Sequence, residues 1–269
     1  MPKLLFTTAY SEHSKFIWQY ALQLAAHLQA SIDVLHIAND HNHVSFESPI
    51  NQAEKLQIFI ASNTPESFKQ IPVHYILKSG EPAGVILKQE EQSHYDVLFM
   101  GATTSNLFPD KFIGSVSLKV LEMSSCPVLL VPPISEFRAI KRIVYATNFD
   151  NMDEWAIRQL CRWSNAYQAE ICLLHVVEES AEDKKARKKM DKLLNLFQKN
   201  EHQTTIYAEI ESGEKDELIV EYLEQHPSDM LAFTTHRKDM ITHLFKPSLT
   251  KKVVAKSNTP VLVFKNLTE

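Results

Sequence analysis

Short apolar runs alternate along the whole chain with longer segments of helical periodicity. The apolar runs lie near residues 3–8, 31–37, 72–78, 96–101 and 127–131, and again near 142–147, 170–177, 204–211, 229–234 and 260–264. Between them apolar residues recur at three- and four-residue spacing, as at Ile17, Tyr20 and Leu24. This alternation predicts βαβ units that build parallel sheets with helices on both faces.

The pattern occurs twice. Residues 4–12 (LLFTTAYSE) match 143–151 (IVYATNFDN) at an offset of 139, and residues 124–132 (SSCPVLLVP) match 256–264 (KSNTPVLVF) at a smaller offset. Self-similarity of this kind fixes the architecture before single elements are assigned. It predicts two domains of one fold, at residues 1–135 and 136–269.

Composition and charge narrow the class of protein. Of the 269 residues 44% are hydrophobic and 23% are charged, which is typical of folded, soluble domains. The net charge of -5 disfavours a nucleic-acid partner. No apolar run reaches the roughly 18 residues of a membrane span, and the amino terminus does not have the pattern of a signal peptide. We expect a cytoplasmic protein.

The three cysteines, Cys126, Cys161 and Cys172, form no CxxC pair and suit a reducing compartment as small buried groups. Only five glycines occur in the chain, so each one in a loop is informative. Gly101 ends the fourth strand of the first copy, and Gly114 opens its fourth helix. Ligands bind outside the carboxyl ends of parallel strands, and a helix amino terminus offers free N–H groups to an anion. An anion site is therefore predicted between them.

These features together resemble the universal stress protein family, as a tandem two-domain member. The resemblance rests on the repeat, on Gly101, and on the segments SGEPA (79–83), GSVS (114–117) and CPVLLVP (126–132). It implies two flavodoxin-like (adenine nucleotide alpha hydrolase-like) α/β domains. Each has a five-stranded parallel sheet in the order 3-2-1-4-5 with helices on both faces.

Nucleotide-binding members of that family have a G-x2-G-x9-G-[ST] loop and an aspartate after the first strand. In the first copy Gly101, Gly114 and Ser115 match, whereas Thr104 takes the place of the middle glycine and Ala9 that of the aspartate. The resemblance implies a weakened site for ATP or AMP. Its candidate residues are Gly101, Thr104, Gly114, Ser115 and Ser117. In the other interpretation, which is slightly favoured, Gly101 and Gly114 only shape a loop.

The second copy departs further from the nucleotide-binding loop. Its glycine positions hold Thr234, Arg237 and Pro247, and its aspartate position holds Asn148. Proline cannot donate a backbone N–H to an anion. A nucleotide site is therefore less favoured in the second copy than in the first.

Other candidate residues favour structural interpretations. His36 and His175 occupy equivalent places on the second strand of each copy, where we expect packed, hydrogen-bonded rings. Loop histidines, His41 and His43 with His236 and His243, have no recognised zinc-ligand spacing, so a metal site is the less favoured alternative. The basic segment 182–192 is expected to form a solvated helix face.

No catalytic motif is present, so we expect a protein that is not an enzyme. The hypothesis is a non-catalytic stress-response protein that acts as a binding or signalling module. An ATP- or AMP-binding sensor is the alternative, and a metal-binding regulator is a third. Segments 127–131 and 260–264 are expected to pair with each other in an intramolecular pseudo-dimer, and a homodimer of the whole chain is also considered.

Overall fold

The computed structural model describes residues 1–38, 49–102, 114–132, 137–178, 183–198, 204–236, 253 and 259–266. The chain divides into two units, residues 1–137 (unit 1) and residues 138–269 (unit 2). Several residues singled out in the sequence analysis lie outside the described residues: His41, His43, Thr104, Arg237, His243 and Pro247.

Unit 1 is a parallel α/β sheet with helical connections. Its elements are β1 (Lys3–Thr8), α1 (Glu12–Leu28), β2 (Ser31–Ala38), α2 (Pro49–Ser62), a 3-10 turn (Glu66–Phe68), β3 (Val73–Ser79), α3 (Pro82–Ser93), β4 (Val97–Gly101), α4 (Ser115–Met123) and β5 (Val128–Val131). The strand order is β3-β2-β1-β4-β5, with parallel pairing throughout.

Unit 2 repeats this arrangement. Its elements are β6 (Arg142–Ala146), α5 (Asp153–Tyr167), β7 (Glu170–Val177), α6 (Asp183–Gln198), β8 (Ile206–Ser212), α7 (Lys215–Gln225), β9 (Met230–His236) and β10 (Val261–Asn266). The order β8-β7-β6-β9-β10 is again 3-2-1-4-5 and parallel. The predicted fold class is confirmed, while the pairing of segments 127–131 and 260–264 stays a prediction.

The central strands are buried because their apolar runs are covered on both faces. The three cysteines are also buried and unpaired, as the sequence predicts. Burial raises the pKa of Cys126 to about 12 and that of Cys161 to about 11. Both thiols therefore stay protonated near neutral pH and behave as small apolar groups.

The repeated SGE segment has a local structural role in both units. Gly80 and Gly213 adopt positive φ angles of 134° and 157°, which glycine tolerates best. The glutamates that follow, Glu81 and Glu214, cap α3 and α7, because their carboxylates accept hydrogen bonds from the first turn of each helix.

Polar clusters built around different central residues occupy the same place near the amino edge of each sheet. In unit 1 the buried carboxylate of Asp33 accepts from Lys3 Nζ (2.7 Å), from Tyr95 Oη (2.6 Å) and from His74 Nδ1 (3.2 Å). In unit 2 the equivalent of Lys3 is Arg142, which donates to Tyr222 Oη at 2.9 Å. Unit 1 is thus centred on an acid and unit 2 on a base.

Candidate functional site

Four of the predicted site residues lie together at the carboxyl edge of unit 1. Gly101 ends β4, and Gly114 is the extended residue that precedes α4, with φ -64° and ψ 154°. The buried hydroxyl of Ser117 donates to the Gly101 carbonyl at 2.9 Å, whereas Ser115 is exposed. This bond holds the first turn of α4 against the end of β4, so the α4 amino terminus faces the edge where an anion was expected.

Gly101 packs closely against α1. A Cβ at this position would lie 3.1 Å from ring atoms of His13 and 3.1 Å from Ile17 Cδ1. Such contacts are tighter than ordinary van der Waals packing, so one of the neighbours would have to move. The absent side chain at Gly101 is therefore explained by helix packing without a ligand.

Replacing Gly101 with alanine is expected to lower the free energy of unfolding by about 1–2 kcal/mol through this overpacking. Urea unfolding measures the change. His13→Ala removes the ring that the new methyl group would meet. The double variant His13→Ala/Gly101→Ala is therefore expected to lose less than the sum of the single variants. Additive losses would contradict the packing account.

The His13 ring contributes no fixed positive charge to this edge. Its Nε2 is buried and has no hydrogen-bond partner among the residues that the structure describes. Burial lowers the pKa of His13 below its usual value, although the backbone carbonyls of Pro132 and Val131 partly counter the effect. A neutral ring at physiological pH attracts a phosphate weakly.

An aromatic ring covers the end of β2, one residue beyond Ala9. Tyr10 adopts a left-handed φ of 59°, and its N–H donates to Thr8 Oγ1 at 3.1 Å. Its ring packs at a tilt against that of His36 with centroids 4.1 Å apart and meets Phe59 edge-on at 5.8 Å. Ala9 supplies no carboxylate here, and a tyrosine of the same chain covers the strand end.

Unit 2 repeats this arrangement with Phe149. Its φ is also 59°, its N–H donates to Thr147 Oγ1 at 2.9 Å, and its ring lies 4.2 Å from that of His175. The Nδ1 of His175 donates to the Thr147 carbonyl at 2.8 Å, as the Nδ1 of His36 does to the Thr8 carbonyl at 2.9 Å. The prediction that both strand histidines are packed and hydrogen-bonded is confirmed.

A buried carboxylate closes the carboxyl edge of unit 2 between β6 and β9. Asp153 is 1% exposed. Its Oδ1 accepts from Tyr145 Oη at 2.6 Å and from Thr234 Oγ1 at 3.2 Å. Its Oδ2 accepts from the Asp150 N–H at 3.0 Å and from the hydroxyl of Thr147. Thr234, which replaces the first glycine of the loop pattern, is thus part of an internal network.

The Asp153 network makes this edge unsuitable for an anion. Burial raises the pKa of Asp153 above its usual value, while hydrogen bonds from Thr147, Tyr145 and the Asp150 N–H act in the opposite direction. Donors that would otherwise be free at this strand end are satisfied by the chain itself. The departure of the second copy from the nucleotide-binding pattern therefore accompanies a filled strand end.

The sequence analysis missed Asp153 and the two aromatic rings. The signal lay in the repeat alignment, in which Phe6, Ser14 and Gly101 of the first copy change together to a tyrosine, an aspartate and a threonine in the second. The changes at positions 6 and 101 each add a hydroxyl group and the change at position 14 replaces a hydroxyl with a carboxylate, and together these changes at buried positions of unit 2 indicate a hydrogen-bonded network.

Two lysines lie near this closed edge. Lys189 Nζ sits 5.3 Å from the centre of the Phe149 ring, and Lys215 Nζ donates to Asn148 Oδ1. Lys189 belongs to the basic segment, which forms part of α6. That helix turns its apolar side chains inward and leaves its basic ones exposed, so the predicted solvated face is confirmed: the buried residues are Ala186, Met190, Leu193 and Phe197.

Within the described residues, no group of three or more histidine, cysteine or acidic side chains is placed to hold a metal ion. A search of the described helices also finds none with both the length and the apolar content that crossing a membrane requires.

Comparison with known proteins identifies a family that matches both units. A model of the universal stress protein family matches residues 1–132 and 139–265. Universal stress protein YxiE of Bacillus subtilis (strain 168) is 27% identical over 144 residues, which is 48% of this chain and 97% of that protein.

Two solved structures share the fold over nearly the whole chain. A universal stress protein from Archaeoglobus fulgidus DSM 4304 has a TM-score of 0.74 at 21% identity and covers 98% of this chain and 96% of its own. A protein of unknown function from Pseudomonas aeruginosa PAO1 has a TM-score of 0.71 at 13% identity, with 98% and 92% covered. Since the two segments matched by the family model correspond to the two repeated units, the chain belongs to the universal stress protein family, as a tandem member.

Proposed function

We propose that this protein is a non-catalytic universal stress protein that acts as a binding or signalling module in a stress response, with a degenerate nucleotide site in unit 1. The observation that carries the proposal is that side chains of the chain itself lie at the carboxyl ends of strands in both units. Tyr10 covers the strand end in unit 1, and Phe149 and the Asp153 network do so in unit 2.

The chemistry of unit 1 supports weak anion binding at most. The amino terminus of α4 offers its N–H groups and about half a positive charge. His13 is kept neutral by burial, and Ala9 supplies no carboxylate for a nucleoside. Preorganised N–H groups without a matching charge or nucleoside partner give affinity for many small anions and little preference for ATP.

An ATP- or AMP-binding sensor is the second candidate. The observation that favours it is the Ser117 bond to the Gly101 carbonyl, which keeps Gly101, Gly114 and Ser115 at one edge. In that case Gly101, Gly114, Ser115, Ser117 and Thr104 would line the phosphate-binding loop, as the resemblance implies.

Calorimetric titration of the full chain with ATP and magnesium separates the two functions. We expect a Kd weaker than about 1 mM, or no saturable heat, because few specific contacts are available. A Kd in the low micromolar range that is lost in Gly114→Pro would establish the sensor instead. Met123→Ala serves as the matched variant, since it changes an exposed side chain at the other end of the same helix and leaves every residue of the loop in place.

A further inference from the structure

A polar groove of about 690 Å³ opens in unit 2 at the amino edge of the sheet. This is the opposite end of β6 and β7 from the candidate site. The groove is lined by the end of α5, by the first residues of β6 and β7, by residues 204–205, and by the turn before β9. Its volume is within the range of small-molecule sites in proteins.

The equivalent place in unit 1 has the same backbone. The Ala169 N–H donates to the Ser164 carbonyl at 2.8 Å, as the Ala30 N–H donates to the Ala25 carbonyl at 2.9 Å. Both helices end on a glutamine in the left-handed conformation, with φ 51° at Gln29 and 53° at the end of α5. Differences between the two places therefore come from side chains.

Those side chains are apolar in unit 1 and polar in unit 2. The first unit has Ala25, which is fully buried, and Ile71, which is 8% exposed. The second unit has Ser164 and Thr204 at the corresponding positions. At these two positions the first copy carries hydrocarbon side chains and the second carries hydroxyl groups.

The floor of the groove is a directed chain of hydrogen bonds. Thr204 Oγ1 donates to Asn165 Oδ1 at 2.7 Å, and its hydrogen is thereby used. In the contact of 2.6 Å between the hydroxyls of Ser164 and Thr204, Ser164 is therefore the donor. Among the described residues the amide NH₂ of Asn165 has no partner, so it is an available donor.

The rim provides a second donor and two acceptors. Asp229 uses Oδ2 for the N–H groups of Lys141 (2.8 Å) and Arg142 (3.0 Å), and Glu170 uses Oε1 for Tyr207 Oη (3.2 Å). Within the part of the chain that the structure describes, the second oxygen of each carboxylate and the Lys141 ammonium group have no partner.

The formal charges on the groove cancel. Lys141 and Arg142 are balanced by Glu170 and Asp229, so an anion meets two carboxylates and a cation meets two basic groups. Free donors and free acceptors stand side by side. A hydroxyl group both donates and accepts, so a ligand with several hydroxyls satisfies both kinds of group at once.

We propose that this groove binds a small neutral polyhydroxylated ligand, a sugar or a related polyol. The floor donates through Asn165, and the rim accepts through Asp229 and Glu170. Such a site would lie away from the nucleotide edge, and it would give unit 2 a ligand of its own while its carboxyl edge is closed.

Saturation-transfer NMR on the full chain tests this proposal with three probes: glucose, maltose and myo-inositol. We expect transfer to at least one probe. We expect its affinity to fall about tenfold or more in Asn165→Ala/Thr204→Ile, because two polar contacts of the floor are lost. This variant copies the residues of unit 1, and circular dichroism and a thermal melt check that it is folded.

The matched control is Ala26→Asn, which places the same amide at the equivalent exposed position of unit 1, where the floor is apolar. It is expected to leave transfer unchanged. Absence of transfer to all three probes with the unmodified chain would overturn the proposal. Undiminished transfer to a folded Asn165→Ala/Thr204→Ile variant would also overturn the proposal, because the probe would then bind at a site other than the groove.

Discussion

Asp153→Ala is expected to lower the free energy of unfolding by about 3–5 kcal/mol, the largest effect of any single substitution considered for this chain. The change leaves three hydroxyls and one backbone N–H without their acceptor in a buried place. These are the donors of Tyr145, Thr147, Thr234 and Asp150. Urea unfolding followed by circular dichroism measures the loss.

Ser14→Ala is the matched control for this prediction. Ser14 occupies the equivalent position in unit 1 and is also buried, but among the described residues its hydroxyl forms a hydrogen bond only with the Ser11 hydroxyl, at 2.9 Å. Ser14→Ala is expected to lower the free energy of unfolding by about 1 kcal/mol. Equal losses at the two positions would contradict a network that is particular to unit 2.

The pH dependence of Asp153 provides an independent check. Its folded pKa is raised, so the folded state binds the proton more tightly than the unfolded state does. The associated stability is fully present below the unfolded pKa of about 4 and is lost as the pH rises through the folded value. The stability of the unmodified chain relative to Asp153→Asn should therefore fall as the pH rises from about 4. A difference that grows over this range would contradict the sign of the shift.

Asp33→Ala is expected to lower the free energy of unfolding by about 2–4 kcal/mol, because it removes the buried carboxylate at the centre of the cluster in unit 1. The substitution leaves the Lys3 ammonium group without its ion-pair partner and the Tyr95 hydroxyl without its acceptor. The pKa of Tyr95 is raised to about 12, so this hydroxyl keeps its proton near neutral pH. Thermal and urea unfolding measure the effect.

His74→Ala is the control at the rim of the same cluster. The His74 side chain is 63% exposed, so water screens its contact with Asp33. His74→Ala is therefore expected to lower the free energy of unfolding by about 0–1 kcal/mol. If loss of His74 destabilised the chain as much as loss of Asp33, the buried acid would not be the centre of the cluster.

The fold was predictable because its signals are local. The runs at 3–8 and 170–177 are apolar on both faces and are bounded by polar turns, and β1 and β7 begin and end at those residues. The repeat predicted two domains of one fold, and the family resemblance supplied the strand order.

The state of the carboxyl edges was predictable only in part. Thr104, Ala9 and Thr234 showed that the nucleotide pattern is incomplete, but they did not show what takes its place. Asp153 stands in the first turn of a helix, where an acid usually faces solvent and the helix dipole. Its burial depends on Tyr145 and Thr234, which come from two different strands, and such tertiary contacts leave no periodic pattern.

The role of Gly101 was also beyond the sequence. A glycine at the end of a strand is consistent with a close ligand or with a close helix, and only the position of His13 and Ile17 distinguishes them. The groove in unit 2 could not be predicted from the sequence either. Ser164 and Thr204 lie far apart in the chain and meet only at the amino edge of the sheet.

Mass spectrometry of the small molecules released from the native, full-length protein tests the central claim most directly. If the nucleotide site of unit 1 is degenerate and unit 2 has none, no adenine nucleotide should be recovered in an amount comparable to that of the protein. Recovery of about one ATP or AMP per chain would contradict the account, because a nucleotide retained through purification requires specific contacts that a degenerate site does not supply.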